Sequence, residues 1–248
     1  MKEEIIIGKN PVFEAIKAGR TINKIIVSDK LNESLFQRIK QELKNKQTVV
    51  QKAPRQKLDQ ITKGNHQGVI AYVTPYEYAT IDDLFNRAQE LNEAPFFIIL
   101  DEIEDPHNLG SILRTADATG AHGVIIPKHR SVGLTATVAK TSSGAIEYVP
   151  VARVTNIVDT IAELKERAVW VVGTTSDGTE DYRKLDGETP IAIVIGNEGK
   201  GMSRLVKESC DWTVRLPMKG KVSSLNASVA SSILLYEIYR KRHPLGES

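Results

Sequence analysis

A run of five consecutive apolar residues, Ile191 to Ile195, constrains the fold of this chain more than any other feature of its sequence. A strand that is apolar on both faces is typical of the interior of a parallel sheet with helices on each side. The stretch after it, Gly196 to Gly201, places three glycines around Glu198, so its backbone can turn sharply and approach a flat ligand. Ligands bind at the carboxyl ends of strands in open α/β sheets. The stretch could equally be a tight turn into a helix capped by Ser203, and this loop alone favours neither interpretation.

The composition is that of a soluble globular protein, because 41% of the 248 residues are hydrophobic, enough for one large domain or two smaller ones. No apolar run approaches the roughly 20 residues that cross a bilayer, and residues 1–4 lack the apolar core of a signal peptide. We therefore expect a cytoplasmic protein with no membrane partner. The single cysteine, Cys210, excludes an internal disulfide and is expected to be buried. The five histidines show no metal-binding spacing, so no metal site is expected.

Positive charge is concentrated in the first third of the chain. Residues 1–75 hold 14 lysines and arginines against 7 aspartates and glutamates, whereas residues 76–248 hold 19 against 24. A basic module joined to a mildly acidic one is typical of a protein in which one part holds a polyanion and the other acts on it. Charged helices are also often only solvated faces, so nucleic-acid binding and plain solvation remain alternatives at this point.

The first 75 residues are predicted to form a compact α/β unit. Asn10 is the expected N-cap, and Pro11 the first residue, of an early helix that stops at Gly19. The polar loop Gly64–Gly68 could approach a phosphate backbone through its amides, although an ordinary turn is favoured. The other predicted elements are strands at Ile5–Ile7, Lys24–Ser28, Thr48–Gln51 and Gly68–Thr74, and helices at Ser34–Lys46 and Arg55–Thr62.

Residues 76–95 form a predicted linker that also packs, with an amphipathic helix from Asp82 to Leu91. A second α/β unit is expected over residues 96–248. Helical patterns alternate with its strands, which indicates a mostly parallel sheet. These strands are predicted at Phe96–Leu100, Val124–Ile126, Val149–Val151, Val169–Val172, Ile191–Ile195 and Thr213–Leu216.

Two further stretches combine a turn with side chains that can carry chemistry. In Asp101–Ala116, Asn108 is the expected cap of a helix, and Arg114 lies between one and two turns along it, where its planar fork could hold a phosphate. A capped helix with a surface arginine is the alternative. In Leu216–Ser232, a loop with glycine and serine runs into a helix of small residues and leaves amide donors at the helix start. Neither a P-loop nor a GxGxxG dinucleotide fingerprint is present.

The motifs agree in order, spacing and identity with those of one enzyme family. They are Asn-x-Gly-x-x-x-Arg-Thr-Ala at 108–116, Ile-Gly-Asn-Glu-Gly-x-Gly at 195–201, and Leu-Pro-Met with Ser-Leu-Asn-Ala-Ser-Val-Ala at 216–230. Over residues 96–242 the chain resembles the SpoU (TrmH-type) RNA ribose 2′-O-methyltransferases. Residues 1–75 look like the substrate-binding domain often placed in front, which is similar to RNA-binding ribosomal proteins. That whole architecture resembles the branch that methylates a guanosine of large-subunit ribosomal RNA.

The resemblance implies a SPOUT fold for residues 96–248, an α/β domain whose carboxyl-terminal chain threads a loop to form a trefoil knot. It implies S-adenosyl-L-methionine as the cofactor, bound bent in the knotted loops and held mainly by backbone groups. Family members are similar in working as homodimers, and the helix from Asn226 to Arg242 would contribute to the interface. The matching cofactor positions are Gly173, Thr174, Gly196, Leu216 and Leu225.

By the same resemblance, Arg114 contacts the phosphate and hydroxyl of the target nucleotide, and whether it also removes the proton stays open. Asn108, Ser224 and Asn226 would orient the hydroxyl and the arginine, while Glu198 would pair with a donor and fix its loop. Helix capping is the alternative role for Glu198 and Ser224. Methyl transfer needs the hydroxyl in line with the methyl carbon, so positioning is expected to supply much of the rate.

The function predicted from the sequence is therefore methylation of a ribose 2′-hydroxyl in RNA, with a guanosine of 23S ribosomal RNA as the first candidate. Transfer RNA is the alternative substrate. An RNA-binding ribosome assembly factor that has lost catalysis is the alternative from another class, and retention of all five catalytic positions favours the enzyme. RNA and a second copy of the chain are the expected partners.

Overall fold

The computed structural model describes residues 4–20, 22–43, 48–73, 76–221 and 224–245. Each element of its first part matches one predicted from the sequence, with ends shifted by a few residues. The predicted ends at Lys46 and Thr74 lie outside the described residues. These elements are β1 (Glu4–Ile7), α1 (Lys9–Lys17), β2 (Ile22–Ser28), α2 (Glu33–Glu42), β3 (Val49–Ala53), α3 (Arg55–Ile61) and β4 (Val69–Val73).

Helix α1 begins earlier than the sequence suggested. Its N-cap is Gly8, whose φ of 102° lies in the region that favours glycine. The chain therefore enters the helix at Lys9, and Asn10 lies within the first turn. The prediction of Asn10 as the N-cap is wrong.

The rest of the chain alternates strands and helices. The strands predicted for it correspond to six of the observed ones, and the short α6 and β9 are additional. The observed β7 starts at Val151 rather than Val149, where the intervening Pro150 lacks the N–H that a strand ladder needs. The elements are α4 (Ile81–Glu90), β5 (Phe96–Leu100), α5 (Pro106–Ala118), β6 (Gly123–Pro127), α6 (Ala136–Thr141), β7 (Val151–Val154), α7 (Ile157–Glu166), β8 (Trp170–Thr174), β9 (Glu180–Asp181), β10 (Ile191–Ile195), α8 (Arg204–Ser209), β11 (Trp212–Arg215) and α9 (Ala227–Arg242).

The chain divides into two compact units. Unit 1 comprises Met1–Glu77 together with Leu134–Tyr148, and unit 2 comprises Tyr78–Gly133 together with Val149–Ser248. The segment Leu134–Tyr148, which carries α6, lies in the range 96–248 that the sequence interpretation treated as one domain. By its contacts it belongs with the amino-terminal elements, so unit 1 is built from two separate parts of the chain.

The sheet of unit 1 is covered by helices on both faces. Its described strands lie in the order β1-β4-β2-β3, with β4 antiparallel to both neighbours and β2 parallel to β3. Phe13 of α1 and Phe36 of α2 pack in one buried cluster, and Leu58 of α3 packs in another. Successive residues of β2 alternate between the two layers, with Ile25 in the first and Ile26 in the second.

The segment Leu134–Tyr148 is anchored within unit 1 by a buried ion pair. Arg20 Nη1 lies 3.2 Å from Glu147 Oε1, and their side chains are only 7% and 6% exposed. The same carboxylate accepts a hydrogen bond of 2.9 Å from the hydroxyl of Tyr76. The ring of Tyr76 in turn stacks against the Arg20 guanidinium, with 3.1 Å between the guanidinium carbon and the ring centroid. Near the end of the segment, Tyr148 donates to Glu14 at 2.6 Å.

The sheet of unit 2 is parallel, as predicted. Its described strands lie in the order β7-β6-β5-β10-β8-β11-β9, and each observed pairing is parallel. Strand β10 lies between β5 and β8, and all five of its residues are buried. The chain leaves β5 toward one edge and returns with β8 on the other side of β10, which creates a topological switch point. The predicted central strand is therefore confirmed.

Two kinds of feature are not found in the described ranges. None of the helices there is long and apolar enough to cross a membrane. No group of three or more histidine, cysteine or acidic side chains in these ranges could hold a metal ion.

His122, in the turn before β6, is fully buried and uses both ring nitrogens. Nδ1 accepts from the backbone N–H of Phe96 at 2.9 Å, so Nε2 carries the proton and donates to Glu93 Oε2 at 3.1 Å. Burial lowers the pKa of His122 below its ordinary value. The carboxylate of Glu93 opposes this shift, and the positive charges of Arg242 and Arg87 add to it.

The free energy of unfolding should fall as the pH drops below the ordinary pKa of histidine, about 6.5. There the unfolded chain binds a proton at His122 that the folded chain does not, so acid favours unfolding. His122→Asn keeps an acceptor for the Phe96 N–H but cannot titrate, and its stability should depend less on pH. Urea unfolding of both proteins at about pH 7.5 and 5.5 measures the difference. An identical pH dependence in the two proteins would contradict the assignment.

Candidate active site

A cavity of about 310 Å³ opens at the carboxyl ends of β8, β10 and β11. Loops converge at this edge of a parallel sheet, and the volume is within the range of small-molecule sites. The lining combines apolar side chains with hydroxyl and backbone groups. It consists of Thr174–Ser176, Ile195–Gly201, Val214, Leu216, Met218, Ser224, Leu225, Ala227, Ala230 and Leu234.

Asn197 organises the loop that follows β10. Its backbone N–H and carbonyl both bond to Gly201, at 3.1 and 2.8 Å, and close the loop. Its side-chain oxygen accepts from the N–H groups of Gly199 at 2.9 Å and Lys200 at 3.2 Å, and its amide donates to the carbonyl of Glu102 at 3.0 Å. Asn197 was not predicted from the sequence to have a role of its own. An asparagine two residues before a glycine, directly after a strand, is the signal that could have identified it.

Gly196 permits a close approach of two backbone segments. A Cβ at this position would lie 2.3 Å from the nitrogen of Met202 and 2.4 Å from the carbonyl carbon of Gly201. Both are main-chain atoms, so no side-chain movement could make room. Beyond the loop, Ser203 is the N-cap of α8, but its side chain makes no capping bond and its own N–H donates to Asp101 Oδ2 at 2.7 Å.

Glu198, Asn108 and Asn226 form one hydrogen-bonded cluster, although they come from three separate stretches of the chain. Glu198 Oε1 accepts from Asn108 Nδ2 at 2.7 Å, from Asn226 Nδ2, and from the backbone N–H of Ala227 at 3.1 Å. Asn226 Nδ2 also donates to Asn108 Oδ1 at 3.0 Å. Because Ala227 is the first residue of α9, Glu198 joins its loop to the start of that helix.

The predicted capping role of Asn108 is wrong. Helix α5 begins at Pro106, and its N-cap is Asp105, whose side chain accepts from the N–H of His107 at 2.8 Å. Proline is favoured at the first helical position because it has no N–H to satisfy, and here it sets the start earlier than predicted. Asn108 therefore lies in the first turn, and its amide is available to Glu198. Asn226 does cap its helix, since its side chain accepts from Ser228 and Val229 at 3.0 and 3.3 Å.

Four of the five positions expected to contact the cofactor line the cavity. These are Thr174, Gly196, Leu216 and Leu225. The hydroxyl of Thr174 also donates to the carbonyl of Val194 at 2.7 Å, which ties the end of β8 to β10.

Gly173, the fifth position, lies outside the described lining. It is buried in β8, where a Cβ would lie 2.7 Å from Met202 Cε and 3.0 Å from Cys210 Sγ. Cys210 is itself half-buried rather than buried as expected, and it donates to the carbonyl of Val206 at 3.3 Å. Burial raises the pKa of the Cys210 thiol to about 11, so it is protonated at neutral pH. Gly173 and Cys210 thus belong to the packing beneath the site.

Of the remaining predicted residues, Ser224 lines the cavity and Arg114 does not. Arg114 is exposed on α5. Its neighbour Thr115 lies with its hydroxyl 3.0 Å from Ser232 Oγ, which joins α5 to α9. The structure therefore brings Asn108, Glu198 and Asn226 together beside the cavity that Ser224 lines, whereas Arg114 is not among the lining residues.

The model of the SpoU rRNA Methylase family matches residues 95–236. This range holds β10, the loop after it, the hydrogen-bonded cluster and the cavity lining. The chain belongs to the SpoU methylase family. As a SpoU methylase it is an RNA methyltransferase, and a second family model, RNA 2′-O ribose methyltransferase substrate binding, matches residues 5–79.

Known proteins are similar to this SpoU methylase over nearly its whole length. A protein of Bacillus subtilis (strain 168) named TrmH family tRNA/rRNA methyltransferase YacO is 57% identical over 246 residues, which is 99% of each chain. The crystal structure of the SpoU methyltransferase AviRb from Streptomyces viridochromogenes, in complex with AdoMet, is similar with a TM-score of 0.82 and 27% identity over 97% of this chain and 90% of that one. The crystal structure of an AdoMet-bound rRNA methyltransferase from Sinorhizobium meliloti is similar with a TM-score of 0.78 and 26% identity. The match covers 98% of this chain and 88% of that one.

Proposed function

We propose that this SpoU methylase transfers a methyl group from S-adenosyl-L-methionine to a ribose 2′-hydroxyl of RNA, and that the target is a guanosine of 23S ribosomal RNA. The observation that carries the proposal is the cavity at the ends of β8, β10 and β11, with the Asn108–Glu198–Asn226 cluster at its edge. The proposal includes a trefoil knot formed by the cavity loops, a homodimer, and action in the cytoplasm.

The shape and donor set of the cavity fit an adenosine-containing cofactor. Leu216 and Leu225 offer apolar surface to a base, while the hydroxyls of Thr174–Ser176 and the backbone of Gly196–Gly201 offer hydrogen-bonding groups. AviRb and the Sinorhizobium meliloti enzyme hold AdoMet in folds similar to this one. When bound, S-adenosylmethionine supplies an electrophilic methyl group on its sulfonium sulfur.

The cluster at the edge of the cavity is suited to hold a hydroxyl in a fixed position. Glu198 Oε1 is engaged by three donors, whereas Oε2 has no recorded partner in the described part of the chain. Because Glu198 lines the cavity, Oε2 can accept a hydrogen bond from the target 2′-hydroxyl. Asn108 and Asn226 cannot rotate without breaking their bonds to each other and to Glu198, so the acceptor is preorganised.

Two surfaces support the proposed partners. Residues 1–75 carry an excess of lysine and arginine that suits the phosphates of RNA, and the substrate-binding model matches residues 5–79. Helix α9 leaves Val229, Tyr236 and Tyr239 exposed at 48%, 51% and 36%. Neighbouring exposed apolar and aromatic side chains of this kind are typical of an interface, and a second copy of the chain is the proposed occupant.

Methyl transfer to defined RNAs tests the proposal. The protein is incubated with labelled S-adenosylmethionine and with ribosomal RNA or transfer RNA from cells that lack it, and the product is digested with alkali. A methylated 2′-hydroxyl blocks cleavage of the adjacent phosphodiester, so we expect the label in alkali-resistant dinucleotides from 23S ribosomal RNA.

Each other outcome of this assay overturns a defined part of the proposal. Label in transfer RNA alone would replace the substrate and keep the chemistry. Label in alkali-sensitive products would exclude ribose as the acceptor. No label in either RNA, with cofactor binding intact, would favour the assembly-factor alternative.

A further inference from the structure

The mouth of the cavity carries positive charge that the proposed cofactor and catalytic roles leave unused. Among the residues that line the cavity, the ionisable ones are Glu198 and Lys200. The carboxylate of Glu198 is already engaged by Asn108, Asn226 and the N-terminal amide of α9. The structure shows no ion pair between Lys200 and Glu198 within the described residues, so the ammonium group of Lys200 is available to a ligand at the cavity mouth.

The backbone of Lys200 is held in place by hydrogen bonds within its loop. Its N–H donates to Asn197 Oδ1 at 3.2 Å, inside the loop that Asn197 and Gly201 close by two backbone bonds. The residue is exposed, and the structure records no ion pair or hydrogen bond for its ammonium group within the described ranges. A long side chain on a rigid anchor can reach a ligand at the cavity mouth without the cost of ordering the loop.

Two more lysines lie in the segment between β11 and α9. Lys219 and Lys221 are exposed, and neither has a recorded ion pair with a described residue. They fall between Met218 and Ser224, both of which line the cavity. By contrast, Lys207 of unit 2 pairs with Asp177 at 2.8 Å and Lys165 pairs with Asp211 at 2.9 Å.

We propose that Lys200, Lys219 and Lys221 form an anion grip at the cavity mouth that holds the backbone phosphates flanking the target ribose. This inference rests on the proposed function and assigns positioning residues to it. A single carboxylate at the end of a cofactor needs one cation, whereas three lysines on two loops match a chain of phosphates. Lysine acts on phosphate as a point charge, so the grip would be independent of sequence and would raise affinity for RNA.

The salt dependence of RNA binding tests the grip. The full-length protein and Lys200→Ala are titrated with a fluorescent transcript that spans the methylated position, at several salt concentrations. Loss of one phosphate contact should reduce the slope of log K against log salt by about 0.7 to 0.9. The triple variant with Lys219→Ala and Lys221→Ala should lose about two to three times as much. Lys200→Arg should restore most of the slope, because it keeps the charge.

Lys184→Ala is the matched control, since Lys184 is an exposed lysine of unit 2 outside the cavity lining. It should leave the slope unchanged. Lys200→Ala should raise KM for RNA by a larger factor than it lowers kcat, because a phosphate contact made in both the ground state and the transition state is lost. Calorimetry with S-adenosylmethionine should give the same affinity for Lys200→Ala as for the unaltered protein.

Two results would overturn the grip, and both differ from failure of the proposed function. An unchanged salt slope in the triple variant would mean that these lysines do not touch RNA. Weaker cofactor binding with an unchanged slope would assign Lys200 to the cofactor carboxylate instead. In both cases the unaltered protein still methylates ribose, whereas failure of the proposed function shows as no ribose methylation by the unaltered protein.

Discussion

Arg114→Ala is expected to lower the rate of methyl transfer by about 100-fold or more, the usual effect of removing one charged donor from a reacting centre. Affinity for S-adenosylmethionine should stay within about twofold, since the proposed contact of Arg114 is with the acceptor RNA and not with the cofactor. The structural reason is that Arg114 is exposed on α5 and contributes no wall to the cavity. Single-turnover rates and calorimetric cofactor titrations measure the two quantities separately.

Arg114→Lys separates charge from geometry. Lysine keeps the positive charge but loses the planar fork, so an intermediate rate is expected if the guanidinium holds a phosphate and a hydroxyl together. A rate for Arg114→Lys as low as that of Arg114→Ala would show that the planar fork, and not the charge alone, is required.

The control for Arg114 is Arg204→Ala on α8, an exposed arginine paired with Glu208 and outside the cavity lining, which should keep the full rate. Full turnover in Arg114→Ala would remove this residue from the mechanism. A large loss of cofactor affinity, or a drop in thermal stability, would instead indicate that Arg114 supports the contact of Thr115 with Ser232.

The central strand and the loop after it could be predicted because their signals are local. Five apolar residues in a row and three closely spaced glycines specify a buried strand and a turn without reference to any other part of the chain. The contact between Asn108 and Glu198 could not be derived in this way, because it joins the first turn of α5 to the loop after β10, 90 positions further along the chain. The family resemblance predicted that both residues belong to the site, but it did not predict the hydrogen bond between them.

Other differences between sequence and structure have equally specific causes. Helix α5 starts at Pro106, before Asn108. Asn108, which was expected to cap the helix, therefore lies inside it and binds Glu198. A Cβ at Gly173 would meet Met202 and Cys210 in β8, and its expected contact with the cofactor stays a prediction. The early start of α5 comes from a local signal, the proline, that was overlooked. The packing around Gly173 comes from side chains that are distant in the sequence.

The assignment of Leu134–Tyr148 to unit 1 could not be predicted from the sequence either, because it depends on contacts between residues far apart in the chain. The ion pair that anchors it spans 127 positions, from Arg20 to Glu147. The segment contributes Leu134, Val138 and Ile146 to the buried residues, yet it is too short and irregular to show a clear helical or strand period. Unit 1 therefore depends on a segment that the sequence interpretation assigned to the other domain.

Glu147→Ala is expected to destabilise unit 1 by about 3 to 5 kcal/mol, because it removes the carboxylate from a buried ion pair with Arg20. The double variant Arg20→Ala/Glu147→Ala should cost less than the sum of the two single variants, since the interaction is lost only once. Hydrogen exchange of the amides in β2 and β4 measures the local stability of unit 1. Glu33→Ala, which removes a solvent-exposed pair with Lys52, is the control and should have a much smaller effect, because solvent screens an exposed ion pair.

Additive effects at Arg20 and Glu147, or a loss no larger than that of the control, would show that Leu134–Tyr148 is not held by this pair. If the coupling is found, removal of residues 1–75 would expose Leu134, Val138 and Ile146, and an isolated amino-terminal fragment would lack the partner of Arg20. Neither truncation would then report on RNA binding alone. The contribution of the basic residues to RNA affinity is better measured with single lysine variants in the full chain, where unit 1 keeps both of its parts.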